Sequence, residues 1–107
     1  MYLVVFRAGI RQLDEAYSAM ARQLREIALT EMGCTDFHAM TEDGQEIALS
    51  WWPTQEAIQA WHAHPLHQEA QRLGRERWYA WVEVNVTQVL RHHGNRPAAV
   101  IGSGQAA

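Results

Sequence analysis

The sequence predicts an α+β fold whose elements alternate as β-α-β-β-α-β, and three observations predict it. The stretch YLVVF, residues 2–6, is rich in β-branched and aromatic residues and reads as a strand. Leu13, Tyr17, Met20, Leu24 and Ile27 then recur at helical spacings. Further on, CTDFHAM and QEIALSWW flank TEDGQ, whose Asp43-Gly44 pair is a strong hairpin signal. With a second helical stretch and a valine-rich final strand, this order is the split β-α-β, ferredoxin-like arrangement. It predicts a four-stranded antiparallel sheet with both helices on one face.

The elements follow in order. The first strand ends near Gly9. Asp14 and Glu15 fall in the first turn of the next helix, where the helix dipole favours acids, and Gly33 closes it. After the hairpin, Pro53 ends the third strand, and Thr54 can cap a helix that has Glu56 in its first turn. The apolar stripe of that helix is Ala57, Ile58 and Trp61; a new stripe then starts at Leu66, Ala70 and Leu73. The phase changes where Pro65 disfavours a helical His64 and suits a fresh first turn. Two segments are therefore expected, with His64 near the N-cap of the second. Beyond Gly74, RWYAWVEVNVTQVL alternates as a long last strand.

Two helices can cover only one face of the sheet, yet YLVVF is apolar on both. Alternation in the last strand puts Trp78, Ala80, Val82, Val84 and Val86 on one side, and Tyr79 and Trp81 on the other among Glu83, Asn85 and Thr87. Large aromatics on a helix-free face imply a second subunit. The expectation is a homodimer with its sheets packed face to face, which also adds burial to a short chain.

At 107 residues there is room for one domain, expected over 1–92, with 93–107 as a flexible tail. The Ala-Ala-Val-Ile stretch of that tail could pack on the partner subunit. Hydrophobic residues make up 48% and charged ones 20%, which fits a globular chain and excludes a disordered one. The net charge of -3 offers no broad basic surface for phosphates, so no nucleic-acid partner is expected. No apolar run is long enough to span a membrane, and the start MYLVVFRAG lacks the features of a signal peptide, so a cytoplasmic location is expected. Cys34 is the sole cysteine and is expected as a small packed thiol.

The stretch AWHAHPLHQEAQ gathers three of the six histidines around Pro65. His62, His64 and His67 straddle a change of helix axis and lack a nearby carboxylate or cysteine to complete a set, so no metal site is expected. An imidazole at a helix start can approach the sheet and titrates near neutral pH, which makes His64 and His67 acid/base candidates. His38 alternates with Cys34, Asp36 and Met40, and it joins them if that face lies under the helices. His92 and His93 follow the last strand as solvated tail.

The stretch ALSWWPTQEAIQAWHAHPLHQEAQRLGRERWYAWVEVNVTQV resembles the second half of the antibiotic biosynthesis monooxygenase family. It has an aliphatic third strand ending in aromatics, an acidic helix start, Trp61, HPLH, AQRLGRERWY and a valine-rich strand. The resemblance covers about residues 2–90. It implies a dimeric α+β barrel with a cavity between helices and sheet in each subunit. Members include oxygenases that act on aromatic polyketides or quinols without metal or flavin, haem-degrading enzymes and proteins of unknown activity. In the haem-degrading branch a haem-ligating histidine follows the tryptophan and an asparagine sits on the first strand. Here Gln71 and Phe6-Arg7 stand in those places, so haem is disfavoured and no cofactor is expected.

The cofactor-independent branch needs an enclosed apolar pocket, a base or donor to form and hold a substrate anion, and room for oxygen. Its resemblance implies substrate-binding roles for Phe6, Trp51, Trp52, Trp61 and Trp78, and catalytic candidates in His64, His67, His38 and Tyr79. The expected function is cofactor-independent oxygenation of a small aromatic substrate, a phenol, quinol or polyketide-like molecule. A non-enzymatic dimer that binds a small hydrophobic ligand would use the same cavity and the same tryptophans.

Overall fold

The computed structural model describes residues 1–97; the Ala-Ala-Val-Ile stretch lies outside them. The elements are β1 (Tyr2–Ile10), α1 (Glu15–Glu31), β2 (Asp36–Glu42), β3 (Gln45–Trp52), α2 (Gln55–His62), α3 (Pro65–Leu73), a π-helical turn (Gly74–Trp78) and β4 (Tyr79–Gln88). The strands form one sheet in the order β2-β3-β1-β4, with every neighbouring pair antiparallel. This is the ferredoxin-like α+β fold. No helix of the described residues is long and apolar enough to cross a membrane.

Local chemistry explains the boundaries. The Asp14 side chain caps α1 by accepting from Tyr17 N–H at 2.9 Å, so it lies just before the first turn rather than in it. Asp43 and Gly44 both have positive φ, the geometry of a tight hairpin turn matched to strand twist. Thr54 caps α2. The expected break falls at His64-Pro65, where His64 Nδ1 accepts from Leu66 N–H at 3.1 Å and Pro65 opens α3.

Register assigns the faces. Tyr2, Val4, Phe6 and Ala8 pair with Trp52, Ser50, Ala48 and Glu46 on β3, and with Gln88, Val86, Val84 and Val82 on β4. The helices cover this side, because its Val4, Phe37 and Trp52 pack with Leu24, Ile27, Ala28 and Trp61 in the core cluster. The other side carries Leu3, Val5, Ile47, Leu49 and Trp51, with Met40 and Trp81 at 44% and 40% exposure. All five residues of the predicted α1 stripe are at least partly buried, and Ala28 joins them fully buried.

The start of the last strand departs from simple alternation in two ways. Trp78 closes the π-helical turn and is not part of β4. The register then shifts between Gly9 and Ile10, so that Gly9 pairs with Trp81 while Ile10 pairs with Tyr79. One extra residue in β4, Ala80, reverses the side of everything before it. Tyr79 therefore lies on the helix side with Phe6, not with Trp81 as alternation predicts. Trp81 does lie on the helix-free face, over Gly9, where any Cβ would run into the indole.

Candidate functional site

The residues singled out in the sequence fall into three places. Tyr79, Trp78 and Phe6 sit at one end of the helix side, and Trp52, Trp61, His64 and His67 at the other. Along β3 the ends are marked by Glu46 and Trp52, about 20 Å apart at ~3.3 Å per strand residue. His38 and Trp51 belong to neither, since their pairings with Leu49 on β3 and with Leu3 on β1 put both on the helix-free face. The condition under which His38 would reach a cavity beneath the helices is thus not met, and the same parity takes Trp51 off the helix side.

The first end is built by irregular backbone. In the π-helical turn, Tyr79 N–H donates to Gly74 C=O five residues back, a geometry frequent at functional sites. A Cβ on Gly74 would lie 2.9 Å from the Tyr79 ring, so glycine permits that close approach. The Trp78 carbonyl accepts from Arg11 N–H at 2.7 Å, which ties the turn to the end of β1. Asp14 holds the same turn through its side chain, taking Trp78 Nε1–H at 3.2 Å and Arg77 Nη2–H at 2.5 Å. Its capping bond from Tyr17 N–H and the Arg77 guanidinium hold the Asp14 carboxyl below the usual carboxylate range.

Tyr17, on the first turn of α1, meets Trp78 edge-on at 5.2 Å and Tyr79 edge-on at 6.1 Å; Tyr79 in turn meets Phe6 at 5.7 Å. The Tyr17 hydroxyl donates to Glu46 Oε2 at 2.7 Å, and Thr41 Oγ1–H donates to Glu46 Oε1 at 2.5 Å. Glu46 is only 9% exposed and is the one buried carboxylate among the described residues. Burial, with the Tyr79 and Glu46 neighbours adding, pushes the Tyr17 phenol far up from its ordinary value. Burial also raises Tyr79; the Tyr17 hydroxyl offsets part of the rise and the Glu46 charge adds to it. Both phenols therefore stay protonated near neutral pH, as donors and neutral relays rather than bases.

At the second end, Trp52 is fully buried and donates its Nε1–H to Ser50 Oγ at 2.8 Å. Trp61 packs against it with ring centroids 6.1 Å apart. His67 stacks on Trp61 at 4.5 Å and 17°, and its Nδ1 lies 3.1 Å from the Trp61 carbonyl oxygen. A carbonyl only accepts, so this nitrogen carries the proton and Nε2 keeps its lone pair. Burial lowers the His67 pKa, partly offset by the Trp61 carbonyl, and the charges of His62 and His64 lower it further. His64 spends its Nδ1 on the α3 cap. Among the described residues no three His, Cys, Asp or Glu side chains are grouped to hold a metal ion.

Sequence reasoning missed Glu46 and Thr41 and took Tyr17 only as core. A signal was present: Glu46 shares strand parity with Ala48, Ser50 and Trp52, which places a carboxylate on the covered side of β3. An open groove of about 470 Å³ runs along α3, lined by Pro65, Gln68, Glu69, Gln71, Arg72 and Arg75. It shares no lining residue with either aromatic cluster.

Comparison with known proteins agrees with this architecture. The family described as antibiotic biosynthesis monooxygenase matches residues 1–73. A Bacillus subtilis (strain 168) protein, "Uncharacterized protein YqjZ", is 32% identical over 91 residues, covering 84% of this chain and 80% of its own. The structure of Rv0793 from Mycobacterium tuberculosis superposes with a TM-score of 0.75 at 17% identity, over 87% of this chain and 98% of that one. A variant of SnoaB, a cofactor-independent oxygenase from Streptomyces nogalater, superposes with a TM-score of 0.71 at 13% identity, over 85% and 94%. At these identities the two structures speak for the fold.

Proposed function

Because the chain belongs to the antibiotic biosynthesis monooxygenase family, we propose that it oxygenates a small aromatic substrate, a phenol, quinol or polyketide-like molecule, on the helix side of its sheet and without a cofactor. The observation that carries this reading is the pair of backbone irregularities, the π-helical turn and the β-bulge, that together turn Tyr79 toward Tyr17 and Phe6. In such chemistry a substrate anion supplies the electron to oxygen, so the protein must bind an aromatic ring, orient its hydroxyl and keep water away. Phe6 and Tyr79 offer the aromatic contacts, whereas Trp78, 2% exposed, is buried beside Tyr79 and has no face free for a substrate. His64 and His67 are engaged in the cap and the Trp61 stack at the far end, so Tyr79 is the better candidate among the predicted polar residues. That SnoaB is a cofactor-independent oxygenase supports the absence of a cofactor in this reading.

The working unit we propose is a cytoplasmic homodimer joined through the helix-free faces. Leu3, Val5, Ile47, Leu49, Trp51 and Trp81 share that side, and no element of the described residues packs over Trp81 or Met40 to bring them below 40% exposure. Sedimentation equilibrium tests this directly, with twice the chain mass expected.

Activity is tested by incubating metal-stripped protein with a panel of anthrols and quinols, and separately with haemin, while following oxygen uptake and absorbance. Oxygen consumption above the uncatalysed rate with a phenolic substrate is the expected result. Ligand binding without oxygen uptake would favour the ligand-binding dimer, and haemin turnover would favour the haem-degrading branch.

A further inference from the structure

Glu46 is not among the candidates that the sequence singles out, yet its placement is unusual for a carboxylate. It is nine-tenths buried on the covered side of β3; among the described residues no cation pairs with it, and both of its side-chain hydrogen bonds come from hydroxyl groups, Tyr17 on α1 and Thr41 on β2. Burying a carboxylate without a cation is costly, and two hydroxyl donors offset only part of that cost. Its Oε2 is placed to accept the proton that Tyr17 donates.

The neighbourhood gives the acceptor something to act on. Across the sheet Glu46 pairs with Ala8, and Ala8 with Val82; the next row is Ala48, Phe6 and Val84. Val82, Val84 and Val86 are 44%, 54% and 51% exposed although they lie on the helix side, so this apolar strip is open from the β4 edge. Tyr79 stands beside Phe6 at its end, and Tyr17 stands beside Tyr79. A phenol ring lying on this strip with its hydroxyl toward Tyr17 would meet a two-member proton path.

We propose that Tyr17 and Glu46 form a proton relay that ionises the hydroxyl of a phenolic substrate, an inference that rests on the function proposed above. The substrate O–H bond breaks as its proton passes to Tyr17 Oη, and the Tyr17 O–H bond breaks as its own proton passes to Glu46 Oε2. The substrate is left as phenolate, Tyr17 as the neutral phenol and Glu46 as the carboxylic acid. Nothing is oxidised in this step; the phenolate is the species that later gives an electron to oxygen. Tyr17 is the catalytic member, since it touches substrate, and Glu46 acts through it. Thr41 holds the second carboxylate oxygen and sets the direction of the first. The raised pKa of Tyr17 agrees with a phenol that passes a proton without remaining ionised.

The test uses the full chain, Glu46→Gln, Tyr17→Phe and two probes. The first is 4-nitrophenol, colourless as the phenol and yellow as the phenolate, at a pH where the free probe is almost entirely protonated. Wild type is expected to bind it yellow, and both variants to bind it colourless with similar affinity. Wild type that binds it colourless, or does not bind it, overturns the relay. The second probe is the best anthrol or quinol of the activity panel, where kcat for oxygen uptake should fall by about 10²-fold or more in each variant, with KM little changed. Unchanged kcat overturns the relay while leaving the oxygenase reading intact. A yellow wild-type complex with no oxygen uptake on any substrate leaves the relay standing and overturns the oxygenase reading. Glu46→Gln keeps one acceptor oxygen and turns the other into an NH2 donor, so one of the two hydroxyls must reverse its bond; a fold-level defect would show as a lowered melting temperature and is separated from loss of the relay by Tyr17→Phe.

Discussion

The His67 ring lies parallel to the Trp61 indole at 4.5 Å, while its Nδ1 donates to the carbonyl oxygen of that same residue. One side chain thereby closes α2 onto α3 across the break at Pro65. Because the stack is half-buried and the ring is held neutral, protonation of His67 is opposed in the folded state. Its folded pKa lies below the ordinary 6.5, so between the two values the unfolded chain binds more protons. The stabilisation is full above about 6.5 and is lost as pH falls through the folded value. Melting temperature should therefore drop on acidification below that point. His67→Phe keeps a ring on Trp61 but does not titrate, and its profile should be flatter; an equally steep profile would show that other groups carry the slope.

His64 caps α3 with Nδ1, a role that Asn or Ser fills equally well. His64→Ala should lower stability by about 1 kcal/mol, and His64→Asn should restore most of it. Urea unfolding measures this as a shift in midpoint without a change in slope.

Gly9 lies directly under Trp81, and a methyl group there would occupy the space of the indole. Gly9→Ala should cost about 1–3 kcal/mol through overpacking, read as a lowered melting temperature. In a Trp81→Ala background the same substitution should cost far less, because the group it strikes is gone. Equal losses in the two backgrounds would point to backbone strain instead.

Cys34 is buried and its Sγ–H donates to the Asp36 carbonyl at 3.1 Å. Burial pushes the thiol up to about 11. The thiolate is the reactive form, so alkylation at pH 8 should be slow in the native protein and rapid in denaturant. Fast labelling of the native state would contradict this packing.

Periodicity was enough for the element order, because it reflects which residues must leave water. The α1 stripe, the Asp43-Gly44 hairpin and the Pro65 break are each written in a handful of neighbouring residues, and each appears where local chemistry puts it. The candidate site was less legible. Residue type marks Tyr79 as a polar candidate, but strict alternation carries it to the wrong face, since nothing local announces that Ala80 is an extra residue in the ladder. His38 joins the candidates only if its strand face lies under the helices, and Trp51 is an aromatic candidate by residue type; strand pairing puts both on the opposite side.

What the sequence by itself determined is the α+β order, the split helix with His64 at its cap and an apolar content on both faces of β1, all consequences of short-range pattern and burial. What only the tertiary structure decided is which side chains meet. Tyr17, Tyr79 and the hairpin pair Thr41 and Glu46 come from α1, β4 and the β2-β3 hairpin, three separate stretches of the chain, and converge because sheet register and one bulge align them. Register is a long-range property, set by the packing of whole strands, and no local periodicity encodes a one-residue slip that reverses a face.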